Sequence, residues 1–440
     1  MVGPLLIALG GIAVLLALVL KQKVPAFLAL LMVSLGVGIA VGMEPSAVIK
    51  SMQAGMGGTL GFVAIVVGLG AMFGAMLEHA GGLDAISGRL LKRFGDDKAS
   101  WSLGFVGFLV AIPVFFDVAF IMLVPLIHRL SKRTGKALLV FALPLLAGLA
   151  VTHAFIPPTP GPIAVAELLG ADLGYVIVFG VLAGLPTMII GGPLLARAYR
   201  NTAVSSWADT SNIQPSSTPI GFGHAVFAVL MPLVLIVGST AGQAVLPDGS
   251  LKSALVFLGH PFTALILACA YVYIAFGLMR GVPKDAINTM MTKALEPAGV
   301  VVLITGAGGT FKQVLIDSGI GQRLGEAVAA TQMPLVLFAF VIAFLVRIAQ
   351  GSATVAMITA AGLTAPVASV AGLGAADTAL LVIAIASGAT MTSHVNDSGF
   401  WLVNQYLEQT PEQTLKSWTV ATTLMGLTGV SVACLISIFV

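Results

Sequence analysis

The sequence contains very little charge: Asp, Glu, Lys and Arg make up only 9% of its 440 residues, while 58% are hydrophobic. Soluble domains carry about 25% charged residues, so most of the surface of this chain must face lipid rather than water. Its two cysteines, Cys269 and Cys434, lie in apolar segments, which argues against a disulfide framework or a thiolate metal site. The net charge of +3 does not indicate nucleic-acid binding, because the basic residues lie between the apolar segments.

Several catalytic motifs are also missing from the sequence. It has no ATP-binding P-loop, so nucleotide hydrolysis within this chain is not the energy source. It has neither a G-x-S-x-G nor an H-E-x-x-H motif, and the presence of Ser, His and Asp near one another is weak support for an enzyme. We therefore predict no enzymatic activity and no resident cofactor.

Apolar stretches about 20 residues long recur along the chain, and this length is enough to cross the bilayer. The fold predicted is an all-α polytopic membrane protein. Basic loops are expected in the cytoplasm, yet one apolar segment, Trp101–Leu126, separates the two basic regions Arg89–Lys98 and Arg129–Lys136. Pro113 and Asp117 interrupt this segment, so we predict a re-entrant hairpin that returns to the cytoplasm. A single span kinked at the proline is the alternative.

The sequence also contains a weak internal repeat. Val63–Leu83 and Val301–Gly321 align at an offset of 238 residues and share six identities. Each copy is followed by a long segment with a polar interruption, and then by a span broken by a polar or proline-rich stretch. Five crossings in the first copy give the second copy the opposite orientation. Inverted repeats with broken helices are typical of secondary transporters, whose site lies at the midplane of the membrane.

The predicted boundaries follow from this repeat. The first inverted repeat (1–200) contains spans at 3–20, 24–42, 59–77 and 174–196, a re-entrant hairpin at 101–127 and a broken helix at 137–170. A cytoplasmic linker at 201–220 joins it to the second repeat (221–440). The second repeat contains spans at 222–246, 258–279, 298–315 and 416–440, a hairpin at 334–372 and a broken helix at 378–408. Both termini are predicted to lie outside the cell membrane.

The densest polar cluster, TSHVNDSGFW (Thr392–Trp401), lies in the predicted break of the second repeat. Irregular backbone survives at membrane depth only where it is buried in protein or lines a water-filled cavity, so this cluster predicts a central site for a polar ligand. Arg347 is the only Lys or Arg inside an apolar run, and it is predicted to bind an anionic substrate. The alternative is a structural ion pair with Asp117 or Asp397.

Other candidates lie in the hairpins and breaks. Asp117 and Asp397 are predicted to carry a coupling proton, with a sodium site as the rival interpretation. Asp397 has a further alternative as an Asx-type cap, and the two histidines have one as structural, hydrogen-bonded residues. The remaining predicted substrate-binding residues are Gln350, Ser352 and Thr354 of the second hairpin, Thr152, His153 and Thr159 of the first break, and Ser393, His394, Asn396 and Ser398 of the second break.

The order of GAMLEHAGG, VFFDVAFIMLVPL, THAFIPPTPGP, QGSATVAMITAAG and SHVNDSGFW resembles that in the gluconate permease family, the gluconate:proton symporters of the ion transporter superfamily. This resemblance spans nearly the whole chain. It implies uptake of a sugar acid with protons across the bacterial inner membrane, and a homodimer with scaffold spans, two opposed hairpins and two broken helices. Similar carriers act on idonate, fructuronate, glycerate or D-serine, so the resemblance leaves the substrate open within that class.

The leading interpretation is thus a proton-coupled symporter for gluconate or a related sugar acid. A sodium-coupled carrier, or a D-serine or glycerate carrier of the same family, is the alternative. A channel is a further class, which saturable and gradient-coupled accumulation would exclude. The predicted partners are a small anionic substrate and the lipid bilayer, without nucleic acid.

Overall fold

The computed structural model describes residues 3–95, 98–202, 220–320, 333–395 and 397–440, and the regular elements within these ranges are all helical. Eight helices of this part of the chain are long and apolar enough to cross a membrane. The prediction of an all-α polytopic membrane protein is therefore confirmed. Most of the predicted linker, residues 203–219, and the candidate Asn396 lie outside the described residues.

The first half of the chain contains one interrupted hairpin segment and one interrupted span. Its helix α9 continues through a π-helical turn, Ile190–Leu194, and a 3-10 turn, Arg197–Tyr199. In chain order the helices are α1 (Gly3–Leu20), α2 (Ala26–Ala40), α3 (Pro45–His79), α4 (Gly82–Phe94), α5 (Ala99–Val110), α6 (Phe116–Thr134), α7 (Leu139–Phe155), α8 (Pro160–Leu169) and α9 (Leu173–Ile189).

The second half has the same kinds of interruption. Its helix α12 continues through a π-helical turn, Val272–Gly277, and a 3-10 turn, Leu278–Arg280, and a third π-helical turn, Leu415–Thr419, joins α19 to α20. The helices are α10 (Phe222–Val245), α11 (Ser250–Leu258), α12 (Pro261–Tyr271), α13 (Lys284–Lys293), α14 (Leu295–Asp317), α15 (Leu335–Gln350), α16 (Ala353–Val370), α17 (Ala375–Thr390), α18 (Ser398–Tyr406), α19 (Pro411–Thr414) and α20 (Val420–Ile436).

Helix α3 begins well before the predicted span at 59–77, and its 35 residues pack along α14. The added turns contain Ser51, whose hydroxyl donates to Asp317 at the end of α14 over 2.6 Å. The polar start of α3 is therefore satisfied by the polar end of its neighbour. This pairing explains why residues that look too polar for a span continue the helix.

The interior of the bundle is formed by the two interrupted spans. All residues of α17 from Thr378 to Thr390 are buried, and the span α7–α8 is mostly buried, whereas α10 and α12 expose more than half of their surface positions. Close crossings need glycine at two places. A Cβ at Gly148 of α7 would lie 2.2 Å from the Gly104 carbonyl oxygen of α5, and one at Gly388 of α17 would lie 2.3 Å from the Phe340 carbonyl oxygen of α15.

The helix ends agree with the repeat offset of 238 residues. Residues 111–115, between α5 and α6, correspond at this offset to 349–353, and α15 ends at Gln350 while α16 begins at Ala353. Residues 156–159, between α7 and α8, correspond to 394–397, and the second interruption covers 391–397. We call residues 111–115 and 351–352 tip 1 and tip 2, and residues 156–159 and 391–397 break 1 and break 2. The arrangement is compatible with two repeats of opposite orientation.

Candidate functional site

A cavity of about 300 Å³ lies where both tips, break 2 and the start of α14 come together. It falls at the lower end of the range for small-molecule sites. Tip 1, α6 and α7 form one side, and tip 2, break 2 and the α19–α20 segment form another. The side chains that define its chemistry are Phe116, Asp117, His153, Pro297, Val300, Val301, Ile304, Arg347, Ser352, Thr354, Thr390, Asp397, Ser398, Trp418 and Thr422.

Tip 2 brings Arg347 to the cavity at the end of α15. This helix ends because Gly351 adopts a left-handed conformation with φ of +81°, which residues with a Cβ rarely adopt. Ser352 then caps α16 by accepting a hydrogen bond from the Val355 backbone N–H at 3.4 Å. Arg347 lies one turn before the tip and is only 4% exposed. Its charge therefore needs partners within the protein or in the cavity.

One partner is Asp397, at the end of break 2, which forms an ion pair with Nη2 of Arg347. Asp397 is itself 7% exposed and is held by two further bonds. Its Oδ1 accepts from the Gly399 backbone N–H at 3.0 Å, and its Oδ2 accepts from the Ser393 hydroxyl at 2.5 Å. Asp397 thus caps α18 and pairs with the arginine, two roles that the sequence had left as alternatives.

Ser393 is in turn held by the α19–α20 segment. The Trp418 indole N–H donates to its hydroxyl oxygen over 2.9 Å, and its backbone N–H donates to the Thr422 hydroxyl over 3.0 Å. Trp418 lies in the π-helical turn and stacks on Phe116, with ring centroids 5.9 Å apart. The indole therefore links tip 1 to break 2 and fixes the Ser393–Asp397 pair against the cavity wall.

The rest of the guanidinium is unpaired within the part of the chain that the structure describes. Nε and Nη1 of Arg347 are buried and have no hydrogen-bond partner there. Buried donors without partners are costly, and a guanidinium binds a carboxylate best through two N–H groups. Because Arg347 lines the cavity, its remaining donors suit an anionic group that enters it.

The first half contributes Asp117 and His153. Asp117 lies in the first turn of α6 and is exposed to the cavity. His153 lies near the end of α7, where its ring contacts Phe115 with centroids 6.0 Å apart. Its Nδ1 is buried without a hydrogen-bond partner among the described residues. A single cavity therefore contains two carboxylates, one imidazole and one guanidinium.

Seven of the predicted site residues line this cavity, while five others surround it without lining it. His394 binds the Thr392 carbonyl oxygen through Nδ1 at 2.9 Å, and the Thr159 hydroxyl donates to the Ile156 carbonyl oxygen over 2.6 Å. Both residues hold the backbone of the breaks. The lining residues are His153, Arg347, Ser352, Thr354, Ser398, Asp117 and Asp397; Gln350, Thr152, Thr159, Ser393 and His394 do not line the cavity.

The sequence analysis did not identify an apolar wall opposite the polar groups. Pro297, Val300, Val301 and Ile304 of α14 form this wall. They recur at helical spacing in a span that reads as uniformly apolar, so nothing in the sequence separates them from lipid-facing positions. Thr390, Trp418 and Thr422 were missed for a similar reason. The complete cavity thus presents polar groups on one side and hydrocarbon on the other, which suits a polyhydroxylated carboxylate.

Comparison with known proteins was consistent with this geometry. A model of the GntP family permeases matches residues 3–439. The low-affinity gluconate transporter of Escherichia coli K12 is 41% identical over 428 residues, which cover 96% of each chain. A gluconate permease of Pseudomonas aeruginosa is 37% identical over 440 residues, with 99% of this chain and 97% of the relative covered. The Gnt-II system L-idonate transporter of Escherichia coli K12 is 36% identical over 434 residues, with 97% and 98% covered.

Solved structures share the fold at much lower identity. The YdaH transporter of Alcanivorax borkumensis superposes with a TM-score of 0.69 at 16% identity, and 94% of this chain and 98% of that chain are covered. MtrF of Neisseria gonorrhoeae gives a TM-score of 0.66 at 13% identity, with 93% and 94% covered. The protein is a multi-pass membrane transporter rather than an enzyme, and the chain belongs to the GntP family of permeases.

Proposed function

We propose that the protein is a proton-coupled symporter that imports gluconate or a closely related sugar acid across the bacterial inner membrane. The observation that carries this proposal is the buried guanidinium of Arg347, which lines the cavity with two nitrogens unpaired by described residues. The remaining donors provide a site for the carboxylate of the substrate. Relatives named as gluconate and L-idonate transporters support the choice of a sugar acid.

The hydroxyl groups of the substrate have several hydrogen-bond partners in the same cavity. Ser352, Thr354 and Ser398 line it beside the arginine, and the hydroxyls of Thr390 and Thr422 line its other end. The apolar wall of α14 packs against the carbon chain. An acyclic sugar acid has one carboxylate and a row of hydroxyls on a hydrocarbon chain, so it matches this division better than a dicarboxylate, whose second charge would lack a cation.

A proton is the coupling ion we favour, because Asp117 and Asp397 supply two carboxylates at the cavity. Sodium remains the competing choice, since carboxylate and hydroxyl oxygens also suit hard cations. Uptake of radiolabelled gluconate into proteoliposomes separates the two. An inward proton gradient without sodium should drive accumulation, and an inward sodium gradient at equal pH should not. Accumulation that requires sodium would refute proton coupling.

A competition series tests the substrate. Unlabelled gluconate and L-idonate should compete with labelled gluconate at lower concentrations than D-glycerate or D-serine do, because the shorter molecules leave the hydroxyls at one end of the cavity unpaired. If D-serine competes best while gluconate does not compete, the carrier belongs to the alternative substrate class.

We also propose that the halves 1–200 and 221–440 are inverted repeats and that both termini lie outside. The distribution of Lys and Arg supports this orientation. In a chain with both native cysteines replaced, Lys252→Cys should react with an impermeant maleimide in intact cells, and Arg200→Cys should react only after permeabilisation. The reverse pattern would contradict the orientation. A homodimer is proposed from the family resemblance, and mass photometry of the purified protein measures it.

A further inference from the structure

The guanidinium of Arg347 has a single positive charge and three possible anionic neighbours. Asp397 already forms an ion pair with it, Asp117 lines the same cavity, and the proposed substrate adds a third carboxylate. Placing a second anion beside a paired, buried guanidinium leaves uncompensated charge, which is costly in a low-dielectric site. The charge of one carboxylate must therefore be removed when the substrate binds.

Asp397, not Asp117, competes directly for the arginine. Its Oδ2 contacts Nη2 of Arg347, whereas no ion pair joins Asp117 to that guanidinium among the described residues. Asp397 also has the bonds to remain in place when neutral. Its Oδ1 accepts from the Gly399 backbone N–H, and its Oδ2 is held by the Ser393 hydroxyl, which Trp418 orients. Loss of the carboxylate charge would thus weaken the ion pair without removing the cap of α18.

We propose that Arg347 exchanges one carboxylate for another: a proton binds to Asp397, and the substrate carboxylate replaces it as the ionic partner of Arg347. This inference rests on the proposed function and specifies its coupling step. One proton is transferred from water to a carboxylate oxygen, and no other covalent bond changes. The guanidinium has one anionic partner before and after the exchange, so the charge of the site is unchanged.

The exchange makes Asp397 the coupling group and links substrate affinity to pH. Its surroundings contain other titratable or charged groups that must be distinguished from it: Asp117 and His153 line the same cavity, Arg347 contacts it, and His394 lies in the same break. Linkage requires the affinity for gluconate to fall about tenfold for each pH unit over the range where Asp397 is ionised in the free protein. Only loss of the group that takes up the proton removes this slope.

The experiment measures equilibrium binding of radiolabelled gluconate to the purified full-length protein between pH 5 and pH 9. The wild type should show the slope of about tenfold per unit. Asp397→Asn, which cannot be charged, should bind gluconate with an affinity that is nearly independent of pH. In proteoliposomes this variant should exchange internal for external gluconate yet fail to accumulate it under a proton gradient. Asp377→Asn carries the same substitution at the start of α17, outside the cavity lining, and should retain the wild-type slope and accumulation.

A second measurement on the wild type does not depend on the folding of any variant. Adding gluconate to protein in weakly buffered solution at alkaline pH should raise the pH by an amount that corresponds to about one proton taken up per gluconate bound. Binding without proton uptake overturns the exchange. It is also overturned if Asp397→Asn keeps the slope, or if Asp117→Asn alone removes it. A wild type that does not bind gluconate would instead refute the proposed function, and the two failures are therefore distinguishable.

Discussion

Replacing Arg347 by glutamine separates its two interactions, one with the substrate and one with Asp397. The substitution keeps a polar side chain of similar length but removes the positive charge. Hydrogen bonds to charged groups contribute about 1.5–3 kcal/mol each, so losing two such bonds to the substrate carboxylate costs about 3–6 kcal/mol. Since each 1.4 kcal/mol is a factor of ten, the Kd for gluconate should rise about 100-fold to 10,000-fold.

The same substitution leaves Asp397 buried without its cation. Breaking a buried ion pair by removing one partner costs about 3–5 kcal/mol, and Asp397 is only 7% exposed. Arg347→Gln should therefore also lower the midpoint of thermal unfolding in detergent. The double variant Arg347→Gln/Asp397→Asn contains neither charge, so it should recover most of that thermal stability while its affinity for gluconate stays low.

A double-mutant cycle of thermal unfolding and gluconate binding measures both effects on the same preparations. Arg200→Gln is the matched control, because it makes the same substitution at an exposed position after α9. It should change neither the unfolding midpoint nor the affinity. If Arg347→Gln binds gluconate within threefold of the wild type, Arg347 does not bind the carboxylate. If the double variant recovers affinity together with stability, the role of the arginine is only to pair with Asp397.

Three further substitutions test the packing and the cavity. Gly148→Ala should lower thermal stability by about 1–3 kcal/mol through overpacking against α5, whereas Gly57→Ala, with open space at its Cβ, should not, as differential scanning fluorimetry can measure. Trp418→Phe keeps an aromatic ring but removes the indole donor to break 2; it should destabilise by about 1 kcal/mol and weaken gluconate binding. Thr354→Val should raise the Kd about 2-fold to 10-fold, whereas Thr364→Val, whose buried hydroxyl has no partner among the described residues, should leave it unchanged.

The places where helices are interrupted were readable from the sequence, because polar groups at membrane depth are costly. Pro113 and Asp117 mark the segment in which α5 ends and α6 begins, and the TSHVNDSGFW stretch contains the interruption between α17 and α18. A polar residue within an apolar run is informative because it needs a local reason to be there.

Features that depend on a distant partner were not readable. The early start of α3 depends on the bond from Ser51 to Asp317, which is 266 residues away in the sequence. The role of Ser393 as the support of Asp397 depends on Trp418, whose indole in an apolar span carries no positional signal of its own. The ion pair between Arg347 and Asp397 could be stated only as one of two alternatives. Periodicity and composition report on the local environment of a residue and do not identify its neighbours across the bundle.

The repeat explains where the site lies, and departures from the repeat explain its chemistry. At the offset of 238 residues, Arg347 corresponds to Leu109 and Asp397 to Thr159, and Asp117 corresponds to Val355. The two halves therefore provide similar tips and breaks, but only the second half places a guanidinium and a paired carboxylate there. A symmetric pair of arginines would hold two anionic groups or repel each other across the cavity. With one arginine, the site has one anionic position, and Asp397 and the substrate carboxylate must share it in turn.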